Sequence, residues 1–319
     1  MALPVRYGGW SGKKRNFGYG RRLGYAALSA LHDHYGDADH HQTKHSHHAR
    51  FGNFVRWIKE HYGIRDARLI LQEHILAYAE HLLESLQDGA YTINYVQNLL
   101  STVNVVMRCL RHDRRLTVSP STLVGCRSHI RKTVPQGERD SVDNAVKDLE
   151  RAKNPRAAAV LQLARAFGMR VREASLANLD RLLREAKEFG ECRILEGTKG
   201  GRRCNSRCIP MGRAQWRALN CALQYSPQGS NNLLRPEENY RSFMCRVINP
   251  GRPIIKLHGL ISYREMRAAF AVDTYEEEAR QLASVKQCPI DLVAHRRALA
   301  VVSKRLGHNR PHVSRSYVG

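Results

Sequence analysis

The chain has 319 residues, 42% of them hydrophobic, so it is long enough for two folded domains and is not a solvated tail. Lysine and arginine total 52 against 29 acidic residues, and the net charge of +23 predicts a polyanionic partner, nucleic acid first. No stretch has the roughly 20 apolar residues of a membrane span, and the N-terminus lacks the apolar run of a secretion signal. We therefore expect a cytoplasmic protein with no membrane partner, whose eight cysteines are reduced thiols.

The first 22 residues contain six basic residues and no acidic one, with aromatic residues among glycines. This composition predicts a flexible basic arm that follows DNA phosphates. A disordered terminus with incidental charge is the alternative. The candidate DNA contacts in this arm are Lys13, Lys14, Arg15, Arg21 and Arg22.

Residues 23–134 have the apolar periodicity of helices. In "YVQNLLSTVNVVMRCL", apolar residues recur at the i, i+3, i+4, i+7 spacing of one helix face. No strand-like alternation interrupts the pattern, so we expect a small all-helical domain. Residues 135–141 are polar, with Pro135 and Gly137, and are the predicted linker to a second domain over 142–319.

The second domain is predicted to be mostly helical with one β-hairpin. "NPRAAAVLQLARAF" reads as a helix that Gly168 closes. "ECRILEG" and "RCIPM" flank the glycine-rich turn "TKGGRR" and predict the hairpin. Residues 224–255, rich in Pro, Gly and Asn, predict a long surface excursion. The fold class is therefore mainly α with a small β-sheet (α+β).

Four sets of residues in this domain could take part in catalysis, although each set, taken singly, also has an ordinary structural explanation. Arg170 and Glu173 could be a common helix pair. Lys199 could be a solubilising charge in a turn, and Arg264 with Arg267 a solvated helix face. His308 and Tyr317 would lie on opposite faces of one continuous helix, but "NRP" between them favours a helix ending near Gly307, a turn and a new helix. Such a turn could bring both side chains to one site.

In this order the four groups resemble the tyrosine recombinase, or phage integrase, family. The family has a Gly-Leu-Arg-x-x-Glu motif, matched by "GMRVRE" over Gly168–Glu173, and a lysine in a β-hairpin turn, as in "TKGGRR". It also has a His-x-x-Arg box, then Leu-Gly-His and a tyrosine nine residues later, as in Leu306–His308 and Tyr317. The N-terminal half resembles the core-binding domain of proteobacterial integrases, so the resemblance covers nearly the whole chain.

The resemblance implies cleavage and rejoining of DNA through a 3′-phosphotyrosyl intermediate, without metal or ATP. Tyr317 would be the nucleophile, and Arg170 and Arg267 would clamp the non-bridging phosphate oxygens. Lys199 would be the general acid, and His308 would donate to phosphate or assist proton movement. The implied catalytic residues are Arg170, Lys199, Arg264, Arg267, His308 and Tyr317, with Glu173 in support and Arg202 and Arg203 as hairpin contacts to DNA.

The family's architecture implies a two-domain clamp around double-stranded DNA. Recombination of paired sites implies a homotetramer on DNA, with accessory DNA-bending or directionality factors as further partners and a bacterial mobile element as the source. Two alternatives use the same fold: a catalytically impaired integrase-like DNA-binding protein, and a type IB topoisomerase-like enzyme that acts without paired sites.

The box histidine is where the sequence departs from the family. Arg264 stands in its place when Arg267 is the box arginine, and an arginine can donate to phosphate but cannot accept a proton. His258 is the other candidate, but Ile261 then occupies the arginine position.

Two further groups are expected to be structural. The histidine-rich stretch 32–48 lacks the cysteines and regular spacing of a zinc site, and no metal site is predicted there. Cys204 and Cys208 are interpreted as hairpin packing.

Overall fold

The computed structural model describes residues 10–199, 207–308 and 310–319. The chain divides between Ser128 and His129 into two units, each with its own hydrophobic core. Within the described residues no helix has the length and apolar content needed to cross a bilayer. Residues 1–9, 200–206 and 309, which include Arg202, Arg203 and Cys204, lie outside the described residues.

Over its described residues, 10–128, the first unit contains five α-helices and two short 3₁₀ helices. Thr92 caps the fourth helix by accepting a hydrogen bond from the Tyr95 amide, and the apolar stripe of that helix, from Val96 to Leu110, is buried. The α-helices are α1 (Leu23–Tyr35), α2 (His41–Tyr62), α3 (Gln72–Gln87), α4 (Ile93–Arg111) and α5 (Pro120–Val124), and the 3₁₀ helices are Arg15–Gly18 and Ala67–Leu69.

Residues 10–22 are packed against this unit, so the expectation of a flexible arm is wrong for them. Phe17 and Tyr19 are buried in its core. The Asn16 amide donates to Asp66 Oδ1 over 2.8 Å, and Asn16 Oδ1 accepts from the Ala67 amide. Burial of these aromatic side chains, which the charge pattern alone does not predict, fixes the segment.

The described part of the second unit is helical with one two-stranded antiparallel sheet, which confirms the predicted fold class. Its helices are α6 (Arg139–Arg151), α7 (Pro155–Phe167), α8 (Val171–Leu176), α9 (Leu179–Phe189), α10 (Arg213–Gln224), α11 (Tyr240–Phe243), α12 (Asn249–Leu257), α13 (Tyr263–Ala279), α14 (Leu292–Arg305) and α15 (Arg315–Val318), with a π-helix at Met244–Ile248 and a 3₁₀ helix at Pro311–Ser314. The sheet pairs β1 (Glu191–Arg193) with β2 (Cys208–Pro210), and Cys192 lies opposite Ile209.

Two predicted boundaries differ from the structure. Helix α6 already begins at Arg139, inside the predicted linker, and residues 129–138 belong to the second unit. The predicted surface excursion is helical from Tyr240 to Leu257, and it buries Phe243 and Ile248 in the core. Pro250 and Pro253 lie within this helical run, in which α12 directly follows a π-helix, so proline content misled the prediction.

Candidate active site

Arg170 and Glu173 are placed by the sharp end of α7. Gly168 ends that helix in the left-handed region, at φ +61°, and a Cβ there would lie 2.4 Å from Phe270 Cδ1. Helix α8 then starts at once, and Glu173 Oε2 accepts the Arg170 amide over 2.7 Å. Glu173 Oε1 also accepts from Arg170 Nη1 at 2.5 Å. The motif therefore fixes the arginine through both its backbone and its side chain.

Glu173 is fully buried and is shared by three arginines. Besides Arg170, it contacts Arg207 Nη1 at 3.0 Å and Arg267 Nη1 at 3.4 Å. Burial opposes ionisation of this carboxyl, but the neighbouring Arg207 and Arg267 outweigh it and hold the pKa of Glu173 at about 2. Three guanidinium groups against one carboxylate leave two positive charges in excess, an arrangement that favours an anionic ligand.

Arg267 lies in the first half of α13 with only 2% of its surface exposed. Its Nη1 donates to the Gly168 carbonyl, and its Nη2 donates to the Leu306 carbonyl at 2.6 Å. Burial, together with Arg207 and Arg170, lowers its pKa to about 10, so it stays charged at neutral pH. This arginine ties α7 to the end of α14, and both of its terminal nitrogens are engaged with protein groups.

Arg207 was not predicted, although it is part of the cluster. It precedes β2 and is 1% exposed. Its Nε donates to the Arg305 carbonyl at 3.0 Å and its Nη2 to the Gly168 carbonyl at 3.3 Å. No local sequence feature indicated its burial, because its partners Gly168, Glu173 and Arg305 are distant in sequence.

His308 and Tyr317 lie together, as the expected turn allows. Helix α14 ends at Arg305, Gly307 adopts φ +66°, and a 3₁₀ turn leads into α15. The two ring centroids are 5.4 Å apart, and the Arg267 guanidinium lies 5.7 Å from the Tyr317 ring. Tyr317 is 8% exposed. The nucleophile candidate thus covers the histidine and the buried arginine.

His308 is held in its neutral form. Its Nε2 is 3.5 Å from Arg267 Nη2, while its Nδ1 is buried without a hydrogen-bond partner among the described residues. Burial and the charges of Arg267 and Arg170 lower its pKa to about 4. A neutral imidazole has one acceptor and one donor nitrogen, so it can exchange a hydrogen bond or a proton with a bound phosphate.

The structure does not bring Lys199 or Arg264 into this cluster. Lys199 is exposed at the edge of the undescribed hairpin turn, and Arg264 is exposed in the first turn of α13. Across the described parts of the chain, neither side chain makes a hydrogen bond to the cluster. The predicted DNA contacts Lys13, Lys14, Arg15, Arg21 and Arg22 are exposed.

The remaining candidates have other surroundings. His258 Nε2 pairs with Asp148 Oδ2 at 2.9 Å and not with the arginine cluster. Cys208 is partly exposed on β2. Among residues 10–199, 207–308 and 310–319, no group of three or more His, Cys, Asp or Glu side chains is arranged to hold a metal, including the histidine-rich stretch.

Comparison with known proteins identifies the fold. The model of the family described as "Integrase" matches residues 128–273. The fold is similar to that of a lambda integrase dimer bound to a COC' core site, at TM-score 0.58 and 16% identity over 91% of this chain and 94% of that one. It is also similar to the Tn1549 transposon integrase in complex with circular intermediate DNA, at TM-score 0.58 and 11% identity over 94% and 96%.

A third similar structure is a lambda integrase tetramer bound to a Holliday junction, at TM-score 0.54 and 14% identity over 91% of this chain and 76% of that one. A search among curated proteins found no match. The matched range of the family model includes Arg170, Arg207 and Arg267, and the structural similarity extends through both units. The Integrase family model thus matches most of the second unit, and the chain has the fold of these integrase structures.

Proposed function

We propose that the protein is a site-specific DNA recombinase that cuts and rejoins duplex DNA through a 3′-phosphotyrosyl bond to Tyr317. The observation that carries the proposal is the buried cluster in which three arginines share the single carboxylate of Glu173 beside a tyrosine ring. An excess of fixed positive charge in a water-poor site stabilises the additional negative charge of a phosphoryl transition state.

The proposed reaction balances without an external energy source. The Tyr317 oxygen attacks phosphorus, a phosphotyrosyl bond forms, and the bond from phosphorus to the 5′-oxygen breaks. One phosphoester replaces another, so the strand can be rejoined without ATP. Because guanidinium groups supply the charge at phosphorus, this scheme assigns no step to a metal.

Arg170 is the arginine best placed to meet the phosphate. Its side chain is 34% exposed and is oriented by Glu173, whereas Arg267 is buried and already donates to two carbonyls. We therefore assign direct phosphate contact to Arg170. Arg267 supports the site through its positive charge and through its hydrogen bonds to the Gly168 and Leu306 carbonyls.

Proton movements involve three other side chains. His308, neutral and beside the Tyr317 ring, is placed to accept or pass on the phenolic proton. Lys199 in the hairpin turn is the proposed acid for the departing 5′-oxygen. Arg264 is the proposed additional phosphate donor. Both roles require these exposed residues to approach the cluster when DNA binds.

Pairing of two DNA sites would bring four active sites together, so we propose a tetramer on DNA. The lambda integrase structures bound to a core site and to a Holliday junction are a dimer and a tetramer. Clamping of the duplex between the two units, accessory DNA-bending or directionality factors, and a mobile-element origin belong to the same proposal.

A trapping experiment tests the chemistry. Wild-type protein, Tyr317→Phe and Tyr225→Phe are incubated with 5′-labelled nicked duplexes that include the DNA flanking the gene, and the products are run on denaturing gels. Tyr225 is the matched control, because its hydroxyl donates to Glu150 and lies outside the arginine cluster. We expect a labelled covalent adduct with wild type and Tyr225→Phe, and none with Tyr317→Phe.

Two other outcomes separate the alternatives. Salt-sensitive binding by all three proteins without an adduct on any duplex would indicate a DNA-binding protein that has lost catalysis. Relaxation of supercoiled DNA by a monomer, with no joining of paired sites, would indicate a topoisomerase-like enzyme. An adduct that persists in Tyr317→Phe would contradict the assignment of the nucleophile.

A further inference from the structure

The segment that enters the second unit, residues 129–137, has no regular secondary structure but contacts two elements of the candidate active site. The Arg131 amide donates to the Arg315 carbonyl over 2.9 Å. The Arg131 guanidinium forms a two-point pair with Glu265, with Nη1 to Oε1 at 3.2 Å and Nη2 to Oε2. Glu265 lies in the first turn of α13, and Arg315 begins the helix of Tyr317.

The pair between Arg131 and Glu265 is largely shielded from solvent, and each side chain makes a further hydrogen bond. The Arg131 and Glu265 side chains are 14% and 15% exposed, so solvent screens their attraction only partly. Arg131 Nε also donates to the Thr133 carbonyl at 2.6 Å, and Glu265 Oε2 accepts the Gln136 amide at 3.2 Å. A bidentate arginine–carboxylate pair fixes orientation as well as distance, which a lysine could not reproduce.

Helix α15 depends for its stability on hydrogen bonds from other segments of the chain. It has four residues, far fewer than the roughly 12 that an isolated helix needs for stability. The carbonyls on either side of Tyr317 are both held by other segments: Arg315 accepts from the Arg131 amide, and Val318 accepts from the Val285 amide at 2.8 Å. The backbone of α15 is therefore held by two external amides, one of them in the segment that enters the second unit, while Tyr317 and Val318 also pack in the core.

We propose that Arg131 is a positioning residue for Tyr317, through which the chain segment leading from the first unit sets the reactivity of the nucleophile. This inference rests on the proposed function for its catalytic consequence. Ser128 is the last residue of the first unit and lies three positions before Arg131 in the sequence. A displacement of the backbone at Ser128 would therefore be transmitted to Arg131 through three residues. Release of the pair with Glu265 would loosen the hold on the Arg315 carbonyl and on α15.

The test compares Arg131→Ala and Glu265→Gln with Arg139→Ala. Arg139 is the matched control, because it also pairs with a carboxylate on α13, Asp273 at 3.5 Å, but makes no hydrogen bond to α15 among the described residues. Two quantities are measured: hydrogen exchange of the amides of residues 311–319 in the free protein, and the single-turnover rate of adduct formation beside the dissociation constant for DNA.

We expect Arg131→Ala and Glu265→Gln to exchange the amides of 311–319 several-fold faster, with exchange elsewhere unchanged. We expect adduct formation to slow about ten- to a hundred-fold at unchanged DNA affinity, because a misplacement of about 1 Å has effects of that size. Arg139→Ala should match wild type. The charge-reversal variant Arg131→Glu should form the adduct as slowly as Arg131→Ala. Combining it with Glu265→Arg should restore much of the wild-type rate of adduct formation.

Two results would overturn the inference. Exchange in 311–319 that is the same as wild type would show that the pair does not hold α15, and faster exchange throughout the second unit would show a purely structural role. Failure of the wild-type protein to form any adduct would refute the proposed function, whereas the exchange measurement would still decide whether Arg131 positions Tyr317.

Discussion

At the scale of single residues, Glu173 is the group on which the cluster depends. Its carboxylate is the common counter-charge of Arg170, Arg207 and Arg267. The sequence motif predicted Glu173 and two of these arginines. It did not predict Arg207, because a lone arginine before a short strand has no local signature of burial, and its partners are distant in sequence.

We expect Glu173→Gln to destabilise the second unit by about 3–5 kcal/mol, since two fully buried guanidinium groups lose their counter-charge. The pKa of Glu173 is about 2 in the folded protein and near 4.5 when unfolded. Its contribution is therefore complete above pH 4.5 and is lost as the pH falls toward 2. Denaturant unfolding between pH 7 and 3 measures both effects.

Asp143→Asn is the control for Glu173→Gln. Asp143 pairs with the largely exposed Arg217, and a surface pair of this kind contributes about 0–1 kcal/mol. A loss for Glu173→Gln that is no larger than the loss for Asp143→Asn would contradict the importance of the shared carboxylate.

His308 depends on pH in the same direction as Glu173, but over a higher pH range. Its pKa is about 4 in the folded protein and 6.5 in the unfolded chain. Between these two pH values the unfolded chain binds a proton that the folded chain does not bind. Stability should therefore fall as the pH drops from about 6.5 to 4. We expect His308→Gln to reduce this slope relative to wild type, as measured by thermal unfolding at a series of pH values. Equal slopes in the two proteins would show that the histidine is not held neutral.

At the scale of elements, the turn between α7 and α8 positions the site. Gly168 needs both its left-handed backbone and its missing side chain, because a Cβ would meet the Phe270 ring at 2.4 Å. The sequence predicted this turn from the glycine and the following motif. It did not predict α11 and α12, since the Pro, Gly and Asn content of residues 224–255 suggests a loop unless the tertiary contacts are known.

We expect Gly168→Ala to cost about 2–5 kcal/mol, about 1–2 from the left-handed backbone and about 1–3 from overpacking. Gly190→Ala is the matched control, because Gly190 has φ +67° but nothing within 4 Å of its Cβ position. The control should show the backbone cost alone. Chemical denaturation of both variants measures the difference, and equal losses would show that the Phe270 contact is unimportant.

At the scale of the whole molecule, two separate cores predict that each unit can fold by itself. The composition predicted two domains, but it placed their junction near residues 135–141, where the chain looks polar and proline-rich. The structure instead has this segment on α13: a Cβ at Gly137 would lie 2.7 Å from Ala269 Cβ, and its carbonyl accepts from Arg165 Nε at 2.7 Å. Polar composition alone could not reveal these contacts.

Two fragments of the chain distinguish the domain boundary in the structure from the boundary predicted from composition. We expect residues 129–319 to unfold in one cooperative transition. Residues 139–319, which lack Arg131 and Gly137, should be less stable and should melt at a lower temperature. Both fragments keep the whole of α6, so the comparison isolates the entering segment. Calorimetry measures the two melting temperatures, and equal values would favour the boundary predicted from composition.

The position of the Tyr317 ring over Arg267 and His308 has a consequence for selectivity among anions. An anion that is to reach the buried Arg267, in contrast to the partly exposed Arg170, must first displace the packed Tyr317 ring. Inorganic phosphate or a free nucleotide brings little binding energy to offset that cost, whereas a duplex held along its length brings a great deal. Under the proposed function, this arrangement would therefore favour a DNA duplex over small free phosphates as the anion that reaches Arg267.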